Sequence, residues 1–235
     1  MTRLAEGRST HLERSEIAAE TLRLFDEGSD PSIRQLAKEL AVTPSAIYHH
    51  FESRSEIVQA AVELVWQEIL TNIIATVGDP FTADPLEVLV TAGLETRRGF
   101  ARHCLIAPYM AATPGSDEIT AGTLAIMANV FERYGLKGDA AAGAFHTYAC
   151  YVFGTALFNA NRLAANAELE VAEVEVDRLE RFRAKPDSGI AENSDIETRN
   201  AIDSVVDISI IDPERDEQLF SDGLRRLMAS ILQAS

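Results

Sequence analysis

The sequence predicts an all-α subunit built as a small N-terminal head and a larger helical body. Three observations predict it. Apolar residues recur at helical spacing along most of the chain, the breaks between them carry helix-stop and helix-start residues, and no series of strand-like segments occurs. The single strand-like alternation, Val206, Ile208 and Ile210, is isolated and reads as part of a loop. With 235 residues, 46% of them hydrophobic and 25% charged, the chain has the composition of a globular protein with a sizeable core.

The elements follow in order. Ser15 to Glu27 sets Ile17, Thr21, Leu24 and Phe25 on one side, and Gly28 follows where a glycine ends a helix. Ser32 and Gln35 stand at capping-box spacing ahead of a stripe of Ile33, Leu36, Ala37 and Leu40. Thr43-Pro44 supplies a cap and a first-turn proline for a very short helix from Pro44 to Phe51. Ser53 and Glu56 form another capping box, and behind them Ile57, Ala61, Leu64, Val65, Ile69, Ile73 and Val77 run for about six turns. Beyond the break at Gly78-Asp79-Pro80, helices are expected over 85–104, 117–135, 138–165, 166–183 and 215–233, with a long polar connection over 184–214. The organisation read from this is a head over residues 1–51, a connecting helix over 53–77, and a ligand-binding and dimerisation body over 78–235.

Composition narrows the function classes. Two cysteines, Cys104 and Cys150, make neither a disulfide scaffold nor a thiolate metal site, which points to a reducing, cytoplasmic setting. No apolar run approaches the roughly 20 residues of a membrane span, and the first residues are polar, so neither a membrane partner nor export is expected. No nucleophile-base-acid order, P-loop or glycine-rich phosphate loop is visible, and an enzyme is not expected. His49, His50 and Glu52 cannot share a tetrahedral ion, because adjacent side chains on a helix diverge by about 100°. Neither a metal nor a cofactor is therefore expected. The net charge of -16 is uneven: residues 1–60 hold seven basic and ten acidic side chains, whereas 165–217 hold six and sixteen. The acidity lies mainly in the second half, which leaves room for a basic face in the head.

Two short helices joined by a tight turn, Ala41-Val42-Thr43, have the arithmetic of a helix-turn-helix. Val42 fills the angle between them, and the second helix turns Thr43, Ser45, Tyr48 and His49 outward while Ala46, Ile47 and Phe51 face inward. Hydroxyls at a helix start suit phosphate oxygens, since unpaired N–H groups already favour anions there. His50 reads as packed or partly exposed rather than as a contact.

The segment Ser32 to Ile57, SIRQLAKELAVTPSAIYHHFESRSEI, resembles the DNA-binding signature of the TetR family of bacterial transcriptional regulators. The resemblance is carried by Ser32, Leu36-Ala37, the Ala41-Val42-Thr43 turn, Ile47-Tyr48-x-x-Phe51 and Arg54, over about 45 residues from Ser15 to Ala60. His103 to Pro108 and the run from Glu217 to Leu224 are similar to the C-terminal domain of the tetracycline repressor itself. The resemblance implies that Ser32 and Arg54 touch the DNA backbone and that Thr43, Pro44, Ser45, Tyr48 and His49 line the recognition helix, with Arg34 a further candidate. Three positions depart from the family pattern: Ala41 and Ser45 stand where glycine is common, and Pro44 where lysine is common. The metal-dependent drug site of tetracycline-binding members is not expected, because Ile106 and Phe158 replace the hydroxyl and the acid that such a site uses.

His103 is left as either a pocket hydrogen-bonder or a packing residue. Aromatic groups with scattered polar tips point to a pocket for a mostly apolar molecule, with Tyr109, Met110, Phe131 and Tyr134 from one part of the chain and His146, Cys150, Phe158 and Asn159 from the long helix. Gly154, with Leu219, Phe220, Leu224, Leu227 and Ile231 of the last helix, is assigned to a homodimer interface. The resulting expectation is a ligand-responsive homodimeric repressor on a palindromic double-stranded operator, released by a small-molecule effector. The alternative is a ligand-binding or adaptor protein on the same scaffold that does not bind DNA.

Overall fold

The computed structural model describes residues 12–112, 115–169 and 213–233. Among them the chain is helical, with α1 (Arg14–Asp26), α2 (Ile33–Glu39), α3 (Pro44–Tyr48), α4 (Arg54–Val77), α5 (Pro85–Arg102), α6 (Ala107–Ala112), α7 (Asp117–Arg133), α8 (Gly138–Leu169) and α9 (Pro213–Gln233). The expected helix over 166–183, the connection over 184–214 and the alternation at Val206 lie wholly or mostly outside the described residues.

Helices α1 to α3 close around Ile17, Leu24, Leu36, Ala37, Ile47 and Phe51, all buried, and Ile57 of α4 completes this cluster. The predicted caps form: the Ser32, Thr43 and Ser53 hydroxyls accept from the backbone N–H groups of Gln35, Ala46 and Glu56. Helix α1 departs from expectation by using Glu13 and Glu16 as a reciprocal capping pair, so it starts at Arg14. Helix α3 is shorter than predicted, because the chain turns after Tyr48 to bring Phe51 inward.

The turn between α2 and α3 is closed by backbone bonds from Val42 N–H to Ala37 O at 2.9 Å and from Ala41 N–H to Lys38 O at 3.1 Å. That geometry places Ala41 at φ 55°, in the left-handed region, where a Cβ is strained. Val42 packs against the head cluster as the sequence suggested.

Helix α4 corrects the expectation that no segment is long and apolar enough for a membrane span: by length and mean hydropathy, 1.3 in its best window, Arg54–Val77 is. It is a core helix instead, burying Val58, Ala61, Val62, Val65, Ile69 and Ile73 against neighbouring helices. Helix α5 runs through the middle of the body between α4, α8 and α9. Two glycines allow it to lie close: a Cβ at Gly99 would stand 2.6 Å from Ile69 Cδ1, and one at Gly93 2.6 Å from Leu224 Cδ2. Helix α9 is fastened to α5 by ion pairs of Arg97 with Asp216, Arg98 with Glu217 and Arg225 with Glu87. The short α6 was not anticipated; Pro108, read as a separator, sits in its first turn, where a missing N–H costs nothing.

Replacing Ala41 by glycine removes the left-handed penalty without removing a contact, since this side chain is exposed. Ala41→Gly is expected to raise the unfolding free energy by about 1 kcal/mol in urea titrations. No gain would mean that the turn is relaxed as it stands.

Candidate functional site

The recognition element is built by burial on one side and solvent on the other. Ile47 is fully buried and Phe51 nearly so, while Tyr48 is 54% exposed and Thr43, Pro44, Ser45 and His49 are exposed beside it. All five residues that the sequence placed on this helix therefore share an open surface. Ser32 and Arg34 are exposed at the start of α2. Lys38, four residues after Arg34 and also exposed, was missed; the i, i+4 spacing of two cations was the available signal.

Arg54 has a different setting. Its Nε donates to Pro31 O at 2.9 Å and its guanidinium pairs with Asp30, so it ties the start of α4 to the loop before α2. Arg14 does similar work on the other flank: it lies 4.0 Å over the Phe51 ring, donates to His50 O and pairs with Glu56 at 2.7 Å. The Arg14 guanidinium, with the Glu52 N–H, holds the Glu56 carboxyl below the usual carboxylate range.

In the body, a cavity of about 120 Å³ lies between α4, α5, α7 and α8. Its wall is Trp66, Ile69, Leu70 and Ile73 of α4, Val88, Ala92 and Thr96 of α5, Ile119, Thr123, Ile126 and Met127 of α7, and Phe145, Tyr148, Val152 and Phe153 of α8. No wall residue is charged. The Thr96 hydroxyl donates to Ala92 O at 2.8 Å and the Tyr148 hydroxyl to Leu89 O at 3.0 Å. Burial pushes the Tyr148 phenol well above its ordinary value. The indole N–H of Trp66 is buried without a hydrogen-bond partner among the described residues.

None of the nine residues expected to line a pocket lies on this wall. His103 sits instead between Asp26 and Glu68. Tyr109 packs edge-on against Phe25, and Met110 and Phe131 are buried in the general core. Tyr134 closes α7, where partial burial raises its phenol. His146, Cys150 and Phe158 face outward on α8, with Phe158 72% exposed, and Asn159 accepts from Arg162 at 3.0 Å. The wall takes positions 145, 148, 152 and 153 of α8; Cys150 and Phe158 fall off that helical phase, His146 is exposed at its margin, and Asn159, though in phase, is buried nearly two turns beyond Phe153.

The assigned dimer residues divide as well. A Cβ at Gly154 would meet nothing within 4 Å, so it lies on an open face with Gly143, Thr147, Cys150 and Phe158. Phe220 and Leu224 are buried inside their own subunit against α5 and α8, which removes them from any exposed face. Leu219 is 38% exposed, and Leu227 and Ile231 are half-buried. Among the described residues, no group of three or more His, Cys, Asp or Glu side chains is placed to hold a metal ion.

Residues 17–61 match the model of the family described as bacterial regulatory proteins, tetR family. The match covers the head, from α1 to the start of α4. No curated protein matches by sequence. Among solved structures, it is similar to the Streptomyces coelicolor TetR family protein ActR in complex with (S)-DNPA, with TM-score 0.69, 23% identity, and 96% of this chain and 100% of that chain covered. ActR in complex with actinorhodin gives TM-score 0.69 at 20% identity, with 96% and 98% covered. A TetR variant from Acinetobacter baumannii in complex with minocycline gives 0.62 at 20%, with 95% and 98% covered. These likenesses show a shared fold that is not confined to the head.

Removing the Arg54 side chain is expected to lower stability by about 1 kcal/mol, because Pro31 O and Asp30 lose their donor. Arg54→Lys should recover only part of this in the same urea titration, and unchanged stability in Arg54→Ala would assign the side chain to another role.

Proposed function

We propose that the chain works in the cytoplasm as a homodimeric repressor that a neutral, mostly apolar small molecule releases from a palindromic operator. The observation that carries this reading is that α4 supplies both Ile57 to the head cluster and Trp66, Ile69, Leu70 and Ile73 to the cavity wall. Two recognition helices fit successive major grooves only at a separation of about 34–36 Å, so a small displacement of α4 costs operator affinity. Thr43, Ser45, Tyr48 and His49 serve as the groove and phosphate surface, with Ser32, Arg34 and Lys38 on the flanking backbone. Arg54 acts first as the brace of that surface and offers the DNA only what charge Asp30 leaves.

The ligand class follows from the wall. With no charged group to pair it, an ionised ligand would lose its hydration uncompensated. Thr96 and Tyr148 already have acceptors, so Trp66 N–H and the Thr123 hydroxyl are the donors left for a carbonyl or similar group. A void near 150 Å³ takes a molecule the size of benzene. A larger ligand must part α4 from α7 and α8, and that movement is the signal. ActR in complex with actinorhodin and the TetR variant in complex with minocycline support the same fold as a binder of small molecules. The two-fold contact uses the outer face of α8 around Gly154 and Phe158, together with Leu219.

Selection of bound fragments from the source genome should return a palindromic site whose binding weakens steeply with salt. Tyr48→Ala should lower affinity by about tenfold on every sequence tested. Thr123→Phe should keep operator binding while blunting release by a ligand found in a screen. Retention of no fragment at about 50 mM salt would defeat the reading, as would light scattering of a 25.7 kDa monomer.

A further inference from the structure

His103 holds a place in the fold that the cavity does not explain. It caps α5, and its Nδ1 lies 2.8 Å from Asp26 Oδ1 and its Nε2 3.2 Å from Glu68 Oε2. The side chain is 11% exposed. Asp26 is the last residue of α1, Glu68 projects from α4, and His103 ends α5, so one ring joins the head to two helices of the body. Both facing groups are carboxylates, which accept hydrogen bonds and cannot donate while ionised. A neutral imidazole has a single N–H, so in either tautomer it turns a lone pair toward one of the two carboxylates. Only the imidazolium donates to both.

The remaining charges around the ring agree with this arrangement. Arg102 of α5 pairs with the other oxygen of Glu68 at 2.6 Å, so one carboxylate bridges Arg102 and His103. The neighbouring Cys104 thiol is pushed up chiefly by burial, and further by Asp26, so it stays uncharged and adds nothing to compete. The joint is also wired to the cavity. Glu68 precedes Ile69, which lines the wall, and Gly99 lets α5 press directly on Ile69 one turn before His103.

We propose that His103 is a proton-dependent latch that fastens the end of α1 to α4 and α5, closed when the ring is protonated and loosened when it is not. Its consequence for operator binding rests on the function proposed above, but the latch itself can be tested without DNA. Because Ile69 and Glu68 are neighbours, a ligand that displaces the wall acts on the same joint, and protons and ligand oppose one another there.

Amide hydrogen exchange over residues 21–28 of the full chain, without DNA or ligand, reads the latch. After correction for intrinsic rates, protection should fall by about fivefold between roughly pH 5.5 and 8.5. His103→Gln should give low protection at both values, and His103→Arg, whose cation does not titrate in this range, high protection at both. Should His103→Gln fail to fold, Asp26→Asn serves instead: its amide can donate to a neutral ring, and the pH dependence should vanish. A flat profile in the natural chain, or an unchanged pH dependence in either His103→Gln or Asp26→Asn, would overturn the latch. Such a result would leave the regulator reading intact, since no DNA enters the measurement.

Discussion

Helix α4 lies in two cores at once, and the rest of the structure depends on that. Ile57 closes the head cluster, while Val58, Ala61, Val62, Val65, Ile69 and Ile73 belong to the body. Helix α1 shares the division from the other side: Ile17 and Leu24 pack in the head, and Phe25 enters the body cluster and meets Tyr109 edge-on at 5.8 Å. Head and body are therefore not two domains joined by a free linker. Close-packed interiors shift between discrete arrangements rather than deform continuously, so under the proposed function a change in the cavity reaches α3 through a stiff element.

Local chemistry explains why the head was legible in the sequence and the cavity was not. The caps at Ser32, Thr43 and Ser53, the proline at position 44 and the burial of Ile47 and Phe51 under an exposed Tyr48 are all short-range signals. The cavity depends on which helices stand opposite one another. Trp66, Ile69, Phe145 and Val152 repeat at the same spacing as ordinary core residues, and spacing alone does not tell a wall from a filled interior. Reading polar tips as pocket markers led to His146, Cys150 and Phe158, which fall on the outer side of α8. Phe220 and Leu224 looked like an interface because the apolar face of α9 is broad, yet α5 covers it within the same chain. His103 was weighed as a pocket group or a packing residue, and its two carboxylates, 35 and 77 positions away in sequence, were beyond any local pattern.

The charge distribution fits the proposed function, in which contact with DNA is confined to one small surface. With a net charge of -16, the chain as a whole repels a polyanion, and the exposed face of α2 and α3 supplies the local exceptions through Arg34, Lys38 and the hydroxyl-bearing start of α3. Weak nonspecific attraction then leaves more of the affinity to contacts that require the correct placement of both heads. The strained turn at Ala41 sets the angle between α2 and α3, so part of that placement is fixed within ten residues of the recognition surface.

Native-state hydrogen exchange along α4 tests the shared-core account most directly. If the helix joins both cores as one rigid element, amides from Val58 to Ile73 will open together, with one free energy that also governs the middle of α1. Separate opening energies, with residues 57–62 exchanging alongside α2 and α3 and residues 65–73 remaining protected, would show that head and body move independently and would contradict it.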